Sequence, residues 1–74
     1  MIAFLDNKNV FATTNDLTTF YYLWKLGYTP VIAGAKYEPR SWEAREAGEN
    51  LLGGWCAYAM ADAEDAFLSV TIPR

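Results

Sequence analysis

The chain contains no histidine, which removes the side chain that most often serves as a general base, a zinc ligand or a pH switch. Its single cysteine, Cys56, cannot close a disulfide within the chain, so a disulfide-stapled scaffold is excluded. Only six residues are Lys or Arg, against nine Asp and Glu, and the net charge is −3. This balance argues against a protein that binds nucleic acid directly or coats anionic lipid.

Long apolar runs are also missing. The longest uncharged stretch, residues 50–61, has twelve residues and contains two glycines, whereas a membrane-spanning helix needs about 20 apolar residues. The first apolar run ends at Asp6 and has no basic residue before it, unlike a signal peptide. We therefore expect a soluble, cytoplasmic protein that does not associate with a membrane.

The composition is that of one small folded domain. Of the 74 residues, 53% are hydrophobic and 16% are aromatic, whereas disordered chains are poor in both. A chain of this length buries only about 60–65% of the surface that it exposes when unfolded, so its core is modest. We predict a single domain over residues 1–74.

The first half of the chain predicts a hairpin followed by a helix. Residues 2–5 and 10–12 are short runs of strand-forming residues on either side of a turn-forming segment, residues 6–9. Thr13 and Asp16 have the spacing of a capping box, and Gly27 supplies the left-handed residue that ends a helix after residue 26.

The middle of the chain predicts a strand, a loop and a second helix. Residues 30–33 form a short strand, which would complete a crossover unit if it runs parallel to the strand before the first helix. Residues 34–40 form a loop. Ser41 then caps a helix over residues 42–52, which the two following glycines end.

The remaining residues fit two structures. Five alanines between residues 57 and 66 favour a helix, but that helix lacks a clean apolar face because Asp62 falls beside Trp55. The alternation of larger apolar residues favours a second hairpin over 55–61 and 66–72 that turns at 62–65. On that choice the fold is α+β, with the order β-β-α-β-α-β-β: about five short strands in an antiparallel or mixed sheet, and two helices.

No group of residues predicts an active site. Cys56 has no histidine partner and lies in an apolar run, where it fits a small buried side chain. The carboxylates lie on a helix face and in a turn, where no enclosed pocket would shift a pKa. The glycines form no phosphate-binding pattern, and the acidic residues 62–65 lack the ligand spacing of a calcium loop. We predict no enzyme activity, no cofactor and no metal.

The acidity is regional. Residues 1–37 carry a net charge of +1 and residues 38–65 a net charge of −5. A negative face speeds encounter with a basic protein partner, and the alternative is that the charge serves solubility alone.

Trp42 is the residue of this segment that fits a core position least well. On a helical wheel it points with Arg45, Glu46 and Glu49, away from the small residues of the same helix. Trp, Tyr and Arg are enriched in binding hot spots. The alternative is that Trp42 folds back onto Arg45 or onto the preceding loop. The predicted partner-binding residues are Tyr37, Trp42, Arg45, Glu46, Glu49, Asp62, Glu64 and Asp65.

In size, acidity and lack of catalytic residues, the chain resembles small phage-encoded inhibitors such as anti-CRISPR proteins and acidic DNA mimics. That resemblance implies an inhibitor in the cytoplasm of a host cell. Its partner would be a nuclease or another nucleic-acid-binding complex, blocked at a basic groove. The alternative function is a structural subunit that forms a homodimer or larger homo-oligomer and buries aromatic residues such as Tyr21, Tyr22 and Trp42 at the interface.

Overall fold

Strands and helices alternate along most of the chain. The computed structural model of the protein describes residues 1–54 and 57–69, the last six of these by their backbone alone. The elements are β1 (Ile2–Asp6), β2 (Asn9–Thr14), α1 (Leu17–Leu26), β3 (Thr29–Ile32), β4 (Ala35–Lys36), α2 (Trp42–Leu52) and α3 (Ala57–Ser69). The α+β class predicted from the sequence is confirmed.

The four strands form one antiparallel sheet in the order β2-β1-β3-β4. The predicted hairpin of β1 and β2 is present, and its turn places Asn7 at a φ of 63°. Both β2 and β3 run antiparallel to β1 between them, so α1 connects two strands that point in the same direction. The segment predicted as a loop contains β4, which pairs with β3 through a tight turn at Ala33 and Gly34.

The core lies between the sheet and the helices. Phe4 of β1 is fully buried, and its ring lies 5.7 Å from that of Phe20 on α1. Ile2 and Ile32 are buried with them. Because successive strand residues point to opposite sides, Leu5 faces away from this core and is only partly buried.

The first helix begins later than the capping pattern predicts. Asp16 is the N-cap, and its carboxylate accepts a hydrogen bond from the Thr19 backbone N–H at 2.9 Å. Thr13 belongs to β2, because the ladder with β1 continues to the pair of Ile2 with Thr14. The C-terminal prediction is confirmed, since Gly27 has a φ of 90° and ends the helix.

The second helix has the predicted ends, and its buried side is the one that carries its small residues. Ser41 caps it by accepting from the Ala44 N–H at 3.2 Å, and Gly53 ends it in the left-handed region. Its closest approach to the core is at Gly48, where a Cβ atom would overlap the Phe20 ring. On the same side Ala44 is buried and Ala47 is half-buried, whereas Leu51 at the end of the helix is exposed.

The predicted second hairpin is wrong, because residues 57–69 form a helix that includes the expected turn at 62–65. Ala59 and Ala63, one helical turn apart, are buried in the core cluster of which α1 forms a large part. A pair of alanines is enough because small side chains allow two helices to approach closely. The helix therefore needs no wide apolar face. Trp55, Cys56 and residues 70–72, which entered the hairpin prediction, lie outside the described residues.

Candidate protein-binding surface

Arg45 lies at the contact between α2 and α1, where three aromatic rings surround its guanidinium. The Arg45 Cζ atom is 4.8 Å from the centre of the Trp42 ring. It is 5.7 Å from the centres of both the Trp24 and the Tyr21 rings. Each such contact contributes about 0.5–1 kcal/mol at an exposed site and more where water is excluded. Arg45 therefore has a structural role.

Glu49 completes this arrangement one turn further along α2. Its Oε2 atom is 3.1 Å from Arg45 Nε and accepts a second hydrogen bond from the Tyr21 hydroxyl at 2.5 Å. Only 19% of the Arg45 side chain and 15% of the Glu49 side chain are exposed. The structure thus places these two predicted partner-binding residues in an ion pair within α2, and the Tyr21 hydroxyl links that pair to α1.

Trp42 contacts Arg45 and is nevertheless exposed to solvent, so it has features of both alternatives that the sequence left open. Its ring lies on Arg45, yet 62% of the residue is exposed. The first turn of α2 is also tied to α1, because the Trp24 indole N–H donates to the Ser41 carbonyl at 2.9 Å. Trp42 is therefore a solvent-facing aromatic residue whose base is fixed to the fold.

Beside Trp42, the outer side of α2 carries unpaired carboxylates. Trp42, Glu46 and Asn50 follow one another at intervals of four residues and are all exposed, with Glu43 next to them. In the part of the chain that the structure describes, neither Glu43 nor Glu46 forms an ion pair. We call these four residues the acidic ridge.

The residues before α2 support the fold more than the surface. Tyr37 is half-buried against the core, and its backbone N–H donates to the Pro30 carbonyl at 2.9 Å. Arg40 Nε donates to the Lys25 carbonyl at 2.9 Å, which satisfies an unpaired group at the C-terminal end of α1. Only Glu38 of this loop adds an exposed carboxylate near the ridge in sequence.

The acidic residues of the last predicted turn are on a different helix from the ridge. Asp62 is exposed on α3, whose main packing partner is α1. The side chains of Glu64 and Asp65 lie outside the described residues. The structure therefore places Trp42 and Glu46 on one side of α2 and Asp62 on a different helix.

A comparison with protein-family models finds no match, and comparisons with curated proteins and with solved structures find no significant similarity.

Two shallow clefts flank the loop before α2. One, of about 390 Å³, is lined by Leu26, Gly27, Pro39 and Arg40. The other, of about 290 Å³, is lined by Thr29, Lys36, Tyr37, Glu38 and Pro39. Within the described ranges, no three His, Cys, Asp or Glu side chains are grouped so that they could hold a metal ion. Among the helices of the same ranges, none has the length and apolar character needed to cross a bilayer.

The two α1 residues whose rings contact Arg45 were not among the residues predicted for this surface. Tyr21 and Trp24 are three residues apart and so lie on one side of α1, a spacing that could have marked them as a pair. Tyr21 was instead expected at an oligomer interface, but it is fully buried within the single chain. Tyr22 is half-buried against the core. Of the three aromatic residues assigned to that interface, only Trp42 is exposed.

Proposed function

We propose that the protein is a non-enzymatic binding protein that docks its acidic ridge onto a basic surface of another protein. The observation that carries the proposal is that Trp42 is 62% exposed although its ring is stacked on Arg45. Ordering a large side chain on binding costs free energy, and a side chain that is already ordered avoids part of that cost. A fixed, exposed tryptophan is thus well suited to act as a binding anchor.

The charges around Trp42 favour a basic partner. Among the residues that the structure describes, Glu43 and Glu46 have no ion pair, so their negative field extends into solvent. The positive charge of Arg45 is offset by Glu49 at 3.1 Å. Complementary charge of this kind raises the rate of encounter and selects against acidic partners.

The class of partner follows from the same charge. Surfaces that bind nucleic acid are basic, so a nucleic-acid-binding protein of a host cell fits the acidic ridge. An inhibitor of the phage-encoded kind, acting in the cytoplasm on such a partner, is the specific form of this proposal that the size and acidity of the chain favour.

The test is capture of a partner by tagged protein from a cell lysate at low and at high salt. We expect the wild type to capture a basic nucleic-acid-binding protein at low salt, and we expect Trp42→Ala and Glu46→Lys to lose most of it. Asp6→Lys is the matched control, because it makes the same charge change at an exposed site on the hairpin. Equal loss with Asp6→Lys would show that net charge alone drives capture, and no difference among the variants would exclude the ridge.

The variants avoid Glu49 for a structural reason. Its carboxylate accepts hydrogen bonds from Tyr21 and Arg45, so Glu49→Lys would disturb the contact between α1 and α2. Glu43→Lys is the better second change, because Glu43 is exposed on the same helix. Circular dichroism and urea unfolding of each variant establish that lost capture does not reflect lost structure.

A further inference from the structure

The two edges of the sheet differ in length. One edge is β4, which has two residues, and the other is β2 (Asn9–Thr14), which has six. Within residues 1–54 and 57–69, no strand pairs with the outer side of β2. An edge strand of this length presents backbone N–H and C=O groups that another strand can pair with.

The side chains of β2 provide little of the protection that edge strands usually carry. The strand contains no charged residue and no proline. Val10 is 63% exposed and Phe11 52% exposed. A bulge lies on β2 itself, where Phe11 is the extra residue opposite the step from Phe4 to Leu5 of β1, whereas residues 12–14 keep a regular register with β1.

The aromatic ring on this edge strand packs against a residue of the core. The Phe11 ring stacks on that of Tyr28, with the ring centres 4.3 Å apart and the planes 10° from parallel. Tyr28 is itself buried in the core. Through their register with β1, Val10 and Thr13 lie on the side of the sheet that faces away from the core. A strand added at this edge would continue the existing sheet.

We propose that a second copy of the chain pairs its β2 with this β2 in antiparallel orientation, so that the two sheets join into one of eight strands. Two identical strands related by a two-fold axis form a self-complementary antiparallel pair.

The charges at the two ends of β2 favour a second copy over another occupant. Lys8 precedes the strand and Asp16 follows it, and both are exposed. Antiparallel pairing brings Lys8 of each copy towards Asp16 of the other, so opposite charges meet at both ends of the seam. Asp6 lies on β1, one strand further from the seam. The uncharged strand between these ends brings no like charges together.

The test is the mass of the protein in solution, measured by sedimentation or light scattering from about 1 µM to about 1 mM. We expect the mass to rise with concentration from 8.3 kDa towards twice that value. Thr13→Lys places a lysine at the seam of each copy and should raise the dimer dissociation constant about tenfold. Lys8→Glu should weaken the dimer as well, because it replaces attraction to Asp16 by repulsion. The matched control is Ala61→Lys, an exposed position on α3, which should leave the dissociation constant unchanged.

Two results would overturn the proposal. The first is a wild-type mass that stays at 8.3 kDa over the whole range, which would leave the edge to a different protein or to no partner. The second is a dimer that Thr13→Lys and Ala61→Lys weaken equally. Urea unfolding of each variant checks that the fold is intact. Neither result bears on the acidic ridge, since the capture experiment uses residues of α2.

Discussion

Two glutamates on α2 have the same chemistry and opposite roles. Glu49 accepts hydrogen bonds from Tyr21 and Arg45 and is largely buried between helices, whereas Glu46 is exposed and forms no ion pair with any described residue. The two glutamates are three positions apart in the sequence, which places them about 60° apart around the helix axis. That rotation decides whether a carboxylate stabilises the fold or is available to a partner. Acidic residues on one helix therefore cannot be treated as a single surface.

The largest loss of stability is expected from a change at Gly48, the position where α2 lies against the Phe20 ring. Gly48→Ala adds a methyl group where the Phe20 ring already lies, so either the ring or the helix must move. We expect the free energy of unfolding to fall by about 1–3 kcal/mol, although alanine favours a helix over glycine by about 1 kcal/mol. Urea unfolding measures the change. Asn50→Ala, on the exposed side, is the control, and equal or greater loss there would contradict the described packing.

A second prediction compares substitutions of Glu49 and Glu46 directly. Glu49→Gln keeps the size of the side chain but removes the charge that Arg45 and the Tyr21 hydroxyl meet, so we expect a loss of roughly 1–2 kcal/mol. Glu46→Gln should change the free energy of unfolding by less than about 0.5 kcal/mol, as exposed substitutions usually do. Thermal or urea unfolding of the two variants in one buffer provides the measurement. Similar values for both would mean that the Arg45–Glu49 ion pair and the Tyr21 hydrogen bond contribute nothing to stability.

Trp42→Ala should also have only a small effect on stability. Much of this side chain is exposed, and its removal leaves Arg45 with Trp24, Tyr21 and Glu49, so we expect a loss below about 1 kcal/mol. A small effect on unfolding together with a large effect on capture would separate the anchor from the ion pair beneath it. A loss above about 3 kcal/mol would instead assign Trp42 to the core.

The parts of the fold that the sequence predicts well are those with local signals. Ser41 and Gly27 were assigned to helix ends, and the structure places them there, because a cap depends on a few neighbouring residues. The hairpin of β1 and β2 follows from its turn in the same way. The α3 segment has no such signal. Whether its alternating residues form a strand or a helix depends on α1, against which Ala59 and Ala63 pack from a distant part of the chain.

The candidate site also contains features that the sequence predicts and features that it does not. That Trp42 and Glu46 lie on one side of a helix could be read from their spacing, and the structure places both on the exposed side. The position of Arg45 could not be read so, because it depends on the contact of Gly48 with Phe20 and on the rings of Tyr21 and Trp24. These are contacts between helices, which a helical wheel of α2 alone does not contain.

The central position of β1 in the sheet determines when the hairpin becomes stable during folding. β1 pairs with β2 across a short turn, but it also pairs with β3, and the chain between β1 and β3 includes all of α1. An isolated two-stranded hairpin is at best marginally stable in water. The hairpin therefore gains lasting stability only when α1 is formed and β3 has docked on the other side of β1. We expect the backbone amides of β1 to exchange with solvent only when the whole sheet opens, so hydrogen exchange at this strand should follow the global unfolding equilibrium.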